Sequence, residues 1–429
     1  MFMPAGKPRP MDMALHGAHA ESPDTVARIG VVLRVAGEPE DLRHRLSACL
    51  AEHLPGLPVY SHVITGSGRG RRWSRVEPDL DVHVLEHLLG RGAPVEDTLQ
   101  RVLRMPFPNN APPWDIHVLS GHKQDEYCLF LRIHHAVLDG GGLVHLLEKL
   151  CHPHELPCHA HSVTAGWRTP GHLSARHLAT AGKLLARNAS RTDFWRKAGF
   201  TPSARRCFRW GSVPTTALRA TARAYDVTAN DVYLAAYAKA FQSWAAAHAP
   251  GIADEDLELI VPVDIRREDE LSTPGNRSAP VRIVLPARTS GTAELVNAVA
   301  RTTAPVKSPS VRRALAVLTS HTPMPLHSVM WRALLTPARA TPAASNVVVR
   351  HALEFDGDPV LSMAPLMPLP EGFPCAAVLL SYQDTATLCV VSDPVLPGMV
   401  SLHERWRQVI EEMATEASGD RGDERGTRR

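Results

Sequence analysis

Lysine is scarce in this 429-residue chain: of 47 basic residues only 7 are Lys, leaving 40 Arg. Together with abundant Ala and Pro, this is codon bias of a high-GC genome before it is a functional preference. The net charge of +3 is small and the basic residues are dispersed, so a nucleic-acid-binding stripe is excluded. No apolar run approaches the ~18 residues of a membrane span. The start MFMPAGKPRP also lacks the apolar core of a signal peptide. Seven cysteines at irregular spacing argue for reduced thiols, and a cytoplasmic setting is the expectation. Neither a Rossmann fingerprint nor a phosphate loop is present, so no bound cofactor is expected.

What is present is a globular composition, 44% hydrophobic and 21% charged, in a chain too long for one ordinary core. IGVVLRV (30–36) and YCLFLRI (127–133) read as strands. Glu38-Pro39 opens a helix with Leu42, Leu46, Cys49, Leu50 and Leu54 at helical spacing, and LVHLLEKL (143–150) is another. Further on, 226–247 reads as a long helix, 257–265 and 281–286 as strands, 378–393 as a hairpin and 400–414 as a closing helix. This divides the chain into a first mixed α/β half (10–163), a linker (164–204) and a second half (205–415), with a disordered tail at 416–429. Two such halves invite a site between them.

The stretch IHHAVLDGGGL (133–143) carries the chemistry. Strand side chains alternate faces, so if pairing runs to its end, His134 and His135 point opposite ways and do not share a metal. His135 would then lie on the face of Leu129, Leu131 and Ile133. A histidine at a strand end beside a glycine turn titrates near ~6.5 and can act as a general base. Asp139 follows four residues later, and Gly140 with its two glycine neighbours permits close backbone approach or positive φ.

HHAVLDG resembles the HHxxxDG signature of the CoA-dependent acyltransferase superfamily, which includes chloramphenicol acetyltransferases and peptide-synthetase condensation domains. Other blocks resemble the bacterial wax ester synthase/diacylglycerol acyltransferase family. Pro10-Met11-Asp12 is similar to its N-terminal motif, LDVHV (80–84) to FDxxyHv, Pro113-Trp114 to PLW, and Asn230-Asp231 to ND. VPVDIR (261–266) with Gly275-Asn276-Arg277 resembles VPVSLR…GNR, and Ser345-Asn346-Val347 resembles SNVPGP.

The resemblance implies an α/β (α+β) fold of two chloramphenicol-acetyltransferase-like halves, with mixed sheets and a tunnel between them. It implies His135 as the general base of direct acyl transfer from an acyl thioester, of CoA or an acyl carrier protein, to a small-molecule or lipid hydroxyl. Asp139 would be structural and paired with Arg266. Asn230, Asp231, Ser345 and Asn346 become tunnel or oxyanion candidates, with His134 and Gly140 completing the signature.

Each block also has a plainer reading. Thr228-Ala229-Asn230-Asp231 is close to a helix capping box, Trp114 suits core packing, and Gly275–Arg277 suits a turn. One departure stands out: Val348, Val349 and Arg350 occupy the place of Pro-Gly-Pro. An Arg350 reaching the tunnel, with only 5% aromatics and a trimmed chain, points to a polar acceptor and specialised metabolism. The alternatives are wax ester or triacylglycerol synthesis, amide formation as in condensation domains, and a non-catalytic module that docks a carrier or lipid. Peripheral membrane contact is compatible with each. CHPHELPCHAH (151–161) holds zinc-type ligands, which would suit a zinc-containing regulatory protein. Its C-x6-C spacing is not that of usual zinc sites, and no metal is expected.

Overall fold

The computed structural model describes residues 7–17, 27–53, 56–67, 70–151, 173–271, 273–322, 329–330, 334 and 336–426. The first strands are β1 (Arg28–Ala36), β2 (His62–Thr65), β3 (Arg72–Arg75), β4 (Val84–Leu88), β5 (Trp114–Lys123), β6 (Glu126–His134) and β7 (Cys207–Pro214). They are followed by β8 (Leu257–Asp264), β9 (Ser278–Leu285), β10 (Ala343–Val349), β11 (Glu354–Phe355), β12 (Asp358–Leu366), β13 (Cys375–Tyr382) and β14 (Thr385–Ser392).

Two six-stranded mixed sheets result. The first runs β11-β12-β1-β6-β5-β4 and the second β7-β14-β13-β10-β8-β9, with β2 and β3 forming a separate ribbon. In the first sheet only β4 and β5 are parallel; in the second, β10 runs parallel to both neighbours. β6 is buried at all nine residues, as a continuous apolar run requires when both faces of a sheet are covered. Helices Leu42–His53 and Gly140–Leu150 cover one face of the first sheet through Leu42, Leu46, Leu50, Leu146 and Leu147. The opposite face meets the second sheet, where Val32, Leu119 and Phe130 share a core with Ile260, Val378 and Val391. Helices Ala229–His248 and Leu402–Gly426 bury the outer face of the second sheet, with Tyr233, Tyr237 and Trp406 fully enclosed.

Two features differ from the sequence reading. Residues 354–366, from the second half of the chain, cross to the first sheet, where β12 pairs antiparallel with β1 (Gly30 opposite Leu366, Leu33 opposite Met363). The closing helix runs from Leu402 through Gly426, past the 400–414 expected for it. Docked through Trp406, Val409, Ile410 and Met413, it lengthens without a new nucleation step. Residues 152–161, with the zinc-type cluster that follows Cys151, lie outside the described residues.

Candidate active site

Strand β6 ends at His134 and the chain turns at once, so His135 is not on the strand face of Ile133 but in the turn that follows. The turn is pinned by the His135 backbone N–H donating to Ala27 O (2.7 Å) and Val137 N–H to His134 O (2.8 Å). His134 goes into the protein body. Its Nδ1 accepts from the Ala136 N–H (3.1 Å), and its ring lies 6.2 Å from that of Phe107. His135 is half-buried and lines a channel between the two sheets.

Its tautomer follows from one contact. Nδ1 sits 2.9 Å from Leu138 O, which can only accept, so Nδ1 carries the proton and Nε2 keeps its lone pair. Burial pulls the imidazole below the ordinary histidine value, against the opposing pull of the Leu138 carbonyl and Asp139. The ring is therefore neutral at physiological pH and able to take a proton.

Asp139 caps helix Gly140–Leu150, accepting from the Gly142 N–H (2.9 Å), and also receives Arg266 Nη2 (3.0 Å) and the Arg277 backbone N–H (2.5 Å). Arg266 is fully buried; its Nη1 donates to the carbonyls of Glu270 and Thr273 and its Nη2 also to that of Gly275, while Nε has no hydrogen-bond partner among the described residues. Despite desolvation, these donors hold the Asp139 carboxyl below its usual range. A Cβ at Gly142 would collide with Leu138 and approach Arg266 Nη2 to 3.2 Å, so close approach, not positive φ, requires glycine there.

A second clamp closes the turn from behind. Asn276 Nδ2 donates to His135 O (2.6 Å) and to Asp12 Oδ1 (3.1 Å), while the Gly275 N–H reaches Val137 O (2.6 Å). Asp12 is fully buried and accepts further from the backbone N–H groups of Asn276 (2.6 Å) and Arg9 (2.7 Å). The blocks at 10–12, 266 and 275–277 thus converge on one turn. Gly275 has φ +95°, and a Cβ there would lie 2.6 Å from Asp12 Oδ2. Gly275→Ala is expected to destabilise the fold by about 1–3 kcal/mol. Urea unfolding checks this, and an unchanged midpoint would contradict it.

The channel encloses about 1380 Å³, its open mouth included. Its walls are largely apolar, with Ile29, Leu143, Ile260, Leu366, Phe373 and Val378 among them. Gly140, Ser345 and Asn346 line it, and Asn346 Nδ2 donates to Asn230 Oδ1 (3.0 Å). Asp231 does not line it. It completes a capping box with Thr228 and binds Lys307 Nζ (2.5 Å) and Thr303 Oγ1 (2.6 Å) of the helix Thr292–Lys307. Arg350 is exposed at the end of β10 and is not part of the wall, which removes the main support for a polar acceptor. His83 and Trp114 stack 4.1 Å apart in the core behind β5. The clamp residues Asp12 and Asn276, and Asp264 on the channel wall, lie in the motif blocks quoted from sequence but were not among its site candidates. For Asp264 the signal was there: an aspartate interrupting the apolar strand VPVDI. Among the described residues no cluster suits a metal ion.

The sequence matches the family model described as the wax ester synthase/diacylglycerol acyltransferase catalytic domain over residues 10–192, and the WS/DGAT C-terminal domain over 274–414. A Mycobacterium bovis protein provisionally named a diacyglycerol O-acyltransferase is 28% identical over 139 residues, spanning 31% of this chain and 31% of that relative's own length. A similarly named Mycobacterium tuberculosis protein is 23% identical over 384 residues, 85% of this chain and 81% of that one. Among solved structures, the wax ester synthase/diacylglycerol acyltransferase of Marinobacter aquaeolei superposes with TM-score 0.63 at 18% identity, covering 96% of this chain and 100% of the other. The starter condensation domain of rhizomide synthetase, in complex with C8-CoA, gives TM-score 0.67 at 15% identity over 95% and 94%. Both share the two-sheet fold.

Proposed function

The chain belongs to the wax ester synthase/diacylglycerol acyltransferase family, and from that premise we propose that it transfers an acyl group from an acyl thioester to an acceptor hydroxyl. His135 Nε2 takes the hydroxyl proton as the oxygen attacks the thioester carbon. The new C–O bond forms, the C–S bond breaks, and the leaving thiolate recovers the proton from His135. No covalent acyl-enzyme is required. The observation that carries this reading is a neutral histidine, its Nδ1 tied to Leu138 O, lining a largely apolar channel. Ser345 supports it. The residue lines the same channel, and its hydroxyl, without a hydrogen-bond partner among the described residues, is our candidate donor to the thioester oxyanion. The C8-CoA complex of the condensation domain is consistent with a CoA thioester as donor.

The test is thiol release from an acyl-CoA with and without an alcohol. Release that requires the alcohol supports the proposal, and none with any alcohol overturns it. A pH profile adds a second check. Because burial lowers the His135 pKa, the base form persists as pH falls and is lost only below the ordinary value. The acid limb of kcat/KM should therefore inflect below about 6.5. An inflection above about 7 would speak against a desolvated histidine base.

The apolar wall favours a second reading of the acceptor, a long-chain lipid alcohol as in wax ester or triacylglycerol synthesis. With Arg350 at the surface, a place in specialised metabolism loses its structural argument.

A further inference from the structure

Asp264 is a carboxylate on the wall of the largely apolar channel that it shares with His135. It ends β8, opposite Ser278 of β9, and only one of its oxygens is used by the protein. Oδ1 accepts the Arg266 backbone N–H (2.9 Å), whereas Oδ2 has no hydrogen-bond partner among the described residues. Oδ2 lies 3.7 Å from where a Cβ of Gly141 would stand, which sets it beside the start of helix Gly140–Leu150 on the same channel as His135. Asp264 is half-buried and Oδ2 is open to the channel, so a hydroxyl that enters can donate to it in place of water.

We propose that Asp264 Oδ2 accepts a hydrogen bond from a second hydroxyl of the acceptor, so that the enzyme selects acceptors carrying two neighbouring hydroxyls on an apolar body. The proposal rests on His135-dependent acyl transfer in the channel. It fits both properties of the wall: apolar surface for the tail, and an unpartnered carboxylate oxygen on the same channel as the base. A chain-matched mono-alcohol fills the same volume but leaves Oδ2 bare. A site built to bind a hydroxyl discriminates strongly against the analogue that lacks it.

The charged and titratable groups around Asp264 are Asp139, Arg266 and Arg312, with His135 on the same channel. Burial first, and Asp139 second, push the Asp264 carboxyl up to about 6. Diol preference should therefore weaken as pH falls through about 6, where the carboxylate is protonated. His135 must be neutral for either alcohol, so its ionisation cancels in the ratio of the two rates.

The experiment compares kcat/KM for a long-chain 1,2-diol and the chain-matched 1-alcohol with one acyl-CoA, in the full-length protein and in Asp264→Asn and Asp264→Ala. The expected result is a diol preference of about tenfold or more in the native protein, collapsing toward parity in both variants. A native ratio at or below one overturns the proposal, even where neither variant folds. So does a preference that both folded variants retain. If the native protein uses neither alcohol, the acyltransfer reading itself has failed, and this inference with it.

Discussion

Replacing His135 with alanine should lower turnover by about 10²–10⁴-fold, the usual cost of losing a positioned general base. The fold should hardly notice. The side chain contributes one hydrogen bond, Nδ1 to Leu138 O, and half faces an open channel, so little packing is lost. What holds the turn is backbone: the His135 N–H on Ala27 O, and Asn276 Nδ2 on the His135 carbonyl, both kept in the variant. His134→Ala is the control. That ring is buried and receives the Ala136 N–H, so its removal acts through stability. Steady-state rates with unfolding curves for both variants decide. Turnover abolished in His134→Ala but intact in His135→Ala would refute the assignment.

Asp139→Ala should cost stability first. It strips the N-cap of helix Gly140–Leu150 and leaves Arg266, a fully buried cation, with carbonyls alone. Removing one member of a buried ion pair costs about 3–5 kcal/mol. Asp139→Asn retains a capping oxygen and should lose less. Chemical denaturation of the three proteins measures the difference. An unchanged midpoint with activity gone would instead assign Asp139 to the chemistry.

Local pattern exposed much of this architecture. The strands at 30–36 and 127–133, the hairpin at 378–393 and the long helix at 226–247 all appear within a few residues of their expected positions, because burial imposes periods of 2 and 3.6 on the sequence. β12 was illegible for two reasons. Its partner lies hundreds of residues away, and Pro359 and Pro365 at its two ends disguise a strand. At the site, the sequence pointed to His135, Asp139 and Arg266, and the coordinates bring the last two into contact. The role of Asp12 was hidden, since one buried carboxylate in a short helix has no sequence signature until its donors converge on it. Arg350 misled for a geometric reason: the channel wall takes β10 only as far as Val347, and Arg350 follows the strand's last residue and is exposed.

The passage of β12 into the first sheet also bears on how the protein is made. β1 has β6 on one side as soon as residue 134 is synthesised, but its other neighbour arrives only with residues 358–366. At ~5–20 residues per second that wait is on the order of 10–50 s. For that time the nascent chain carries an apolar strand with one unpaired backbone edge, an invitation to mispairing with another chain. A timetable in which the last third of the message completes the first sheet gives chaperones a defined interval of need, and makes truncated translation products the species most prone to aggregate.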